Sequence, residues 1–219
     1  MSRQGFKHQL FEQFARIGKA LSNANRLELL EFLAQGERSV ESLAKATKLT
    51  VANTSQHLQQ LRQAGLVTTR KQGLRVYYQL AGDEVIQLLG ILRNVAEGHL
   101  AEVERLVSTY LTVKDKLEPI PAQELLERAR NGMVTVLDVR PEEEYSAGHV
   151  PGAINVPLAQ LEKQLDRFGD GKEIVAYCRG PHCILAFEAV AKLRSHGIKA
   201  RRLENGYPEW KAMGLPTEQ

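Results

Sequence analysis

Apolar residues recur every three to four positions through the first 111 residues, with one interruption by strict alternation. Phe6, Leu10, Phe14, Ile17 and Leu21 make a first helical stripe, and Leu27, Leu30 and Leu33 a second. Val40, Leu43 and Ala44 make a third, and Thr54, Leu58 and Leu61 a fourth, which Gly65 stops. Residues 66–70 and 74–78 then alternate around Lys71-Gln72-Gly73, a hairpin signal with glycine in the turn. One long helix is predicted from about 83 to 111. The pattern lapses over 112–121, where charges and two prolines exclude helix, and a linker is placed at 113–121.

Beyond the linker, helical and extended periods take turns. A helix is predicted over 122–131, a buried strand at Val134-Thr135-Val136-Leu137-Asp138, a short strand at Ile154-Asn155-Val156 and a helix over 158–167. A strand ending at Cys178, a helix after Cys183, a strand over 199–203 and a helix over 207–213 complete the chain. This order predicts an α/β domain: a parallel sheet with helices on both faces, reactive groups sitting at the carboxyl ends of the strands. The expected organisation is two domains, a mainly α domain at 1–112 and an α/β domain at 122–219.

The 219 residues and 43% hydrophobic content suit two modest domains. No apolar run approaches the roughly 18 residues of a membrane span, and the first 20 residues are amphipathic and charged, without a signal-peptide core. A cytoplasmic protein with no membrane partner is expected. The net charge of +3 is unevenly spread: residues 38–82 hold seven lysines and arginines against one acid, Glu41. Such a segment reads as a footprint for a polyanion, with a merely solvated basic surface as the alternative.

Residues 40–46 and 51–64, joined by Thr47-Lys48-Leu49-Thr50, have the lengths and turn of a helix-turn-helix. With Thr54, Leu58 and Leu61 turned inward, Asn53, Ser55, Gln56, His57, Gln59 and Gln60 face outward, where they can read base edges or bind phosphates of double-stranded DNA. Arg70, Lys71 and Arg75 on the hairpin suit a phosphate-contacting wing.

The only two cysteines lie in one loop, Cys178-Arg179-Gly180-Pro181-His182-Cys183, between a strand and a helix start. Inward amides at such a junction cradle an anion and lower the pKa of a thiol, which makes Cys178 a candidate nucleophile. A cysteine that only packs is the alternative. Two cysteines in a reducing compartment point to a redox or sulfur-reactive pair. A metal on Cys178, His182 and Cys183 would need three ligands from one tight loop, poor geometry for a tetrahedral ion, so neither metal nor cofactor is expected.

Three segments carry a resemblance to the ArsR family of winged-helix repressors: Ala20-Leu21-Ser22-Asn23-Ala24-Asn25-Arg26-Leu27-Glu28-Leu29-Leu30, Ser55-Gln56-His57-Leu58-Gln59-Gln60-Leu61-Arg62-Gln63-Ala64-Gly65-Leu66-Val67, and Tyr77-Tyr78-Gln79-Leu80. The resemblance spans about residues 6–111. It implies a homodimer, paired through the first and last helices, that binds an operator of two half-sites and leaves it when an inducer binds. It makes His57 a DNA contact or a helix-packing residue. Where metal-sensing members place two cysteines, this chain has Ser39 and Glu41, so metal sensing by this half is not expected.

Leu137-Asp138-Val139-Arg140, the stretch from Glu144 through Gly148-His149-Val150-Pro151-Gly152 to Pro157, the cysteine loop, and Asn205-Gly206-Tyr207-Pro208-Glu209-Trp210 resemble a rhodanese domain over about 119–219. The resemblance implies that Cys178 accepts sulfane sulfur from a polysulfide, persulfide or thiosulfate, holds it as a persulfide and passes it on. Asp138 and Arg140 would support the loop, and His149 would be a packed hydrogen-bonding residue. Thiosulfate-using members often carry a basic residue where this chain has Cys183, which could instead resolve a persulfide on Cys178. The leading expectation is a repressor that senses reactive sulfur. The alternatives are a sulfurtransferase with an accessory winged helix, and a thiol-based sensor of arsenic or another thiophilic species.

Overall fold

The computed structural model describes residues 3–112, 118–168 and 171–219; residues 113–117 of the expected linker lie outside them. The chain divides into two compact units, Met1–Val85 and Ile86–Gln219.

In the first unit, α1 (Arg3–Leu21), α2 (Ala24–Ala34), α3 (Val40–Thr47) and α4 (Val51–Gln63) follow the four stripes. Each of the last three starts at a side chain that accepts a first-turn amide: Asn23 from Arg26, Ser39 from Ser42, and Thr50 from Asn53. Caps of this kind contribute about 1 kcal/mol each. Lys48, at φ 57°, ends α3 in the left-handed conformation. Leu29, Leu30, Leu33, Leu43, Leu58 and Leu61 form the buried core. The α1 stripe behaves differently, since Phe6, Leu10 and Phe14 are exposed.

The hairpin is longer than its alternation predicts. Strands β2 (Val67–Gln72) and β3 (Arg75–Leu80) pair from Val67–Leu80 to Gln72–Arg75, so Lys71 and Gln72 belong to the ladder and Gly73-Leu74 is the turn. A two-residue turn with glycine at positive φ in its first position follows the right-handed twist of the strands. A two-residue strand, β1 (Arg38–Ser39), is added to β3; it is too short to leave a period in the sequence.

In the second unit the expected long helix is interrupted. Helix α5 (Asp83–His99), which begins three residues earlier in the first unit, ends at Leu100, whose backbone is extended. Helix α6 (Ala101–Val107) and a π-helical turn (Ser108–Thr112) follow. Gly98 in the last turn of α5 has among the poorest helix propensities, which favours a break there over continuation.

Next come α7 (Ala122–Arg130), β4 (Val134–Asp138), α8 (Glu142–Ala147), β5 (Ile154–Asn155), a 3-10 segment (Leu158–Phe168), β6 (Glu173–Tyr177), α9 (Ile184–Ser195), β7 (Ala200–Arg202) and α10 (Tyr207–Ala212). The 3-10 segment corrects the α-helix expected at 158–167: it starts on Pro157, whose carbonyl takes the Gln160 amide at 2.7 Å in an i to i+3 bond. The sheet order is β5-β4-β6-β7, and every pairing is parallel.

Alternation along the central strands feeds two cores. Leu137, Val139, Ile174, Ala176 and Cys178 join Ala189, Val190 and Leu193 of α9 on one face. Val134, Val136, Val175 and Tyr177 join Leu125 of α7 and Trp210 of α10 on the other. Strands buried on both faces read as continuous apolar runs, as Ile174-Val175-Ala176-Tyr177 does. No helix among the described residues is long and apolar enough to cross a membrane.

Candidate functional site

Strand β6 is central in its sheet and delivers Cys178 to the carboxyl end, where the residue is only 1% exposed. The chain then turns through Arg179, Gly180, Pro181 and His182, all half-buried, to Cys183, the N-cap of α9. The Cα atoms of Cys178 and Cys183 are 6.1 Å apart and their sulfurs are joined in a disulfide, a separation inside the range that a bridge requires. The loop cradles less than the sequence suggests. The Cys183 amide donates to the Gly180 carbonyl at 3.1 Å, closing a tight turn, so it is not offered to an incoming anion.

The loop is held from outside by three contacts. The Tyr207 amide donates to the Cys178 carbonyl at 3.0 Å. The Arg179 guanidinium donates to both carboxylate oxygens of Glu144 at 2.7 to 3.1 Å, and the Glu144 side chain is almost fully buried. Gly206 lies so close that a Cβ there would overlap the Gly180 nitrogen and the Arg179 carbonyl carbon. Gly206→Ala should therefore displace the loop, cost about 1–3 kcal/mol of stability and speed alkylation of the reduced Cys178, which the native loop keeps almost fully buried. Urea denaturation and timed alkylation measure both.

Beneath the loop, Asp138 and Arg140 form a fully buried ion pair. Arg140 donates to Asp138 through its backbone amide (2.9 Å), Nε (3.0 Å) and Nη2 (2.6 Å), and Nη2 also reaches the Gly148 carbonyl at 2.8 Å. Its guanidinium lies 4.4 Å from the Tyr207 ring and 5.6 Å from the Tyr177 ring. Burial opposes the guanidinium charge, but the Asp138 carboxylate outweighs it and raises the Arg140 pKa. Tyr177, whose hydroxyl accepts from the Val150 amide at 3.1 Å, has its pKa pushed well up by burial. Asn155 donates to the carbonyls of both Asp138 and Arg140. His149 is buried, stacked on Tyr145 at 3.7 Å with Nδ1 3.1 Å from the Tyr145 carbonyl.

Glu144 and Tyr207 escaped the functional reading of the sequence. Glu144 is the third of three consecutive glutamates, and no periodic signal separates the one that is buried. His182 meets a residue outside the expected α/β domain: its Nε2 is 3.1 Å from Glu97 Oε1 of α5. Among the described residues no group of three or more His, Cys, Asp or Glu is placed to hold a metal ion.

In the first unit, Thr54, Leu58 and Leu61 are buried, leaving Asn53, Gln56, Gln59 and Gln60 exposed on α4. Ser55 and His57 are half-buried, and the His57 Nδ1 is enclosed without a hydrogen-bond partner among the described residues. Gln60 is engaged within the fold, accepting from Arg26 Nη1 at 2.6 Å; Arg26 also donates to the Lys19 carbonyl at 2.9 Å. On the hairpin, Lys71 and Arg75 are exposed, whereas Arg70 is bound by Glu37 at 2.6 and 3.0 Å and lies over the Tyr77 ring.

Residues 121–213 match the rhodanese-like domain, and residues 23–69 match the bacterial regulatory protein arsR family. The chain is 45% identical over 213 residues to the HTH-type transcriptional regulator Rv0324 of Mycobacterium tuberculosis, covering 97% of this chain and 93% of that one. It is 36% identical over 89 residues to the nodulation protein NolR of Rhizobium meliloti, covering 41% and 73% respectively. Among solved structures, the homodimeric winged helix-turn-helix DNA-binding domain of Mb0332 from Mycobacterium bovis is 45% identical, with a TM-score of 0.42, covering 46% of this chain and 91% of that one. With a helix-turn-helix and hairpin wing in the first unit and a cysteine loop at the end of a central parallel strand in the second, the chain belongs to the ArsR family of transcriptional regulators, in a form that carries a C-terminal rhodanese-like domain.

Proposed function

We propose that this regulator senses reactive sulfur through Cys178 and Cys183 and releases its operator when the two become bridged. The observation that carries the reading is the 6.1 Å separation of the two Cα atoms across a loop that contains all the thiols of the chain. The chemistry balances with a hydropolysulfide as oxidant. The Cys178 thiolate attacks one sulfur of HSSH, forming the Cys178 persulfide and expelling HS⁻. The Cys183 thiolate then attacks the Cys178 sulfur and expels a second HS⁻. Two thiolates are oxidised, two sulfane sulfurs are reduced, and the disulfide remains.

A sensor needs this reaction once per signal and not many times per second. Near-complete burial of Cys178 favours small inorganic sulfur species over bulky acceptors. Intact mass spectrometry of the reduced protein after polysulfide treatment, paired with operator titration, tests the reading. Loss of both alkylatable thiols together with loss of operator affinity is expected; rapid sulfur transfer to cyanide without any change in DNA affinity would replace the sensor with an enzyme.

The same reading makes the protein a homodimer on a two-half-site operator. The exposed Phe6, Leu10, Phe11 and Phe14 of α1, and Ile91, Leu92 and Val95 of α5, are more apolar surface than isolated helices leave to water, as expected of pairing helices. Asn53, Gln56 and Gln59 are the base-reading candidates, with Ser55 and His57 at the edge of that face. Operator affinity should fall steeply with salt, each neutralised phosphate adding about 0.9 to the log–log slope. Lys71→Ala should lower that slope by about 1 on every sequence, whereas Gln56→Ala should relax base preference. Arg70→Ala should in addition lower stability, through loss of the Glu37 pair. Fluorescence anisotropy across a salt series, on operator and scrambled duplexes, separates the three; a salt-independent affinity would refute DNA reading by this face.

A further inference from the structure

We propose that α5 reads the state of the cysteine loop, through a clasp of two ion pairs, Glu97–His182 and Arg93–Glu209, that closes when Cys178 and Cys183 are bridged. The proposal rests on the sulfur-sensing reading of that cysteine pair and names the residues through which it is regulated.

The geometry ties one helix to both sides of the loop. Glu97 Oε1 lies 3.1 Å from Nε2 of His182, the residue directly before Cys183. One helical turn earlier on α5, Arg93 Nη1 donates to Glu209 Oε1 at 3.1 Å, with both side chains largely buried. The other oxygen of Glu209 accepts the Gly206 amide at 3.0 Å. Gly206 is the residue wedged against the Arg179 and Gly180 backbone, and a Cβ on Gly180 would lie 3.8 Å from Arg93 Nη2 and 3.9 Å from Glu209 Oε1. Residues four apart on α5 therefore hold the loop at His182 directly and at Gly180 through α10. No local feature of α5 requires these contacts, because Arg93 and Glu97 are ordinary polar positions in a helix and their partners lie 116 and 85 residues away.

Cys183 and His182 share a peptide bond, so any shift of the Cys183 backbone that accompanies bridging also moves His182 and its contact with Glu97. Linkage is reciprocal: if bridging favours the clasp, the clasp favours the bridge to the same degree. His182 faces Glu97, Arg93, Arg202 and Glu209, and burial, acting first, brings its pKa below the ordinary value despite the nearby glutamates. The charged form of the pair is accordingly a low-pH form, while neutral His182 can still donate a hydrogen bond to the side chain at position 97.

The test equilibrates full-length wild type, Glu97→Gln and Arg93→Met with reduced and oxidised dithiothreitol, and reads the ratio of dithiol to bridged protein by alkylation and intact mass. Each substitution should shift that ratio about threefold toward the dithiol, the size expected of ion pairs that keep some contact with solvent. The Glu97→Gln shift should grow as the pH is lowered and His182 becomes charged, and fall toward none near about pH 8, since the amide oxygen that this substitution introduces still accepts from neutral His182. A merely structural role for Glu97 would not follow the protonation of His182. A wild type that bridges while both variants match it, or variants that shift toward the bridge, would overturn the clasp alone. A wild type that forms no bridge at any ratio of the buffer would overturn the sulfur-sensing reading, and the clasp with it.

Discussion

Cys178→Ser should abolish the response of operator binding to polysulfide, leaving affinity unchanged within about twofold, where the wild type should lose about tenfold or more, a coupling of about 1.4 kcal/mol. The expectation follows from position. Cys178 leaves the carboxyl end of a central strand and is the first sulfur of the pair. Without it no persulfide forms in the loop, and Cys183 has no partner. Cys183→Ser should behave differently: Cys178 should still take up sulfur and hold it as a persulfide that dithiothreitol removes, with an operator response well below that of the wild type. Mass spectrometry and anisotropy on the same samples distinguish the cases. If Cys183→Ser responds as fully as the wild type, a persulfide on Cys178 is itself the signal and the bridge has no regulatory part.

The largest stability effect should come from Asp138→Asn. The pair with Arg140 is fully buried, and the guanidinium depends on this carboxylate for its counter-charge as well as for geometry. Breaking one side of such a pair leaves an uncompensated buried charge and should cost about 3–5 kcal/mol. Replacing both partners, as in Asp138→Leu with Arg140→Met, should cost much less, because the desolvation penalty disappears with the charge. Trp210 is the only tryptophan and is buried in the second unit, so its fluorescence in a urea titration reports that unit alone. A single substitution that costs under about 1 kcal/mol would mean that Arg140 finds other compensation, such as the Gly148 carbonyl and the two tyrosine rings.

Most elements were legible because their causes are local. The stripe Thr54, Leu58 and Leu61 marks α4, Thr50 caps it and Gly65 follows it, all within sixteen residues. Alternate residues of β4 and β6 feed two cores, which makes β6 a continuous apolar run from Ile174 to Tyr177 and β4 an apolar run broken only at Thr135 before Asp138. The reactive loop was legible for the same reason: both thiols and the helix start fall within seven residues.

What periodicity could not supply is which distant polar groups meet. Arg179 and Glu144 are 35 residues apart, Arg93 and Glu209 are 116 apart, and one charged residue on a helix looks like another until the sheet brings its partner near. Arg70 adds a distant partner to a local reading: its place on the wing marks it as a phosphate-facing candidate, but only the pairing of β1 with β3 brings Glu37, just before β1, to its guanidinium. The loop amides follow the same logic. A strand-to-helix junction suggests several free N–H groups, yet the Cys183 amide is committed to Gly180 once the turn closes. Short-range chemistry thus identifies the helices, the strands and the two cysteines, while the energetics of burial, acting only after the chain has folded, choose the charges that hold the cysteine loop in place.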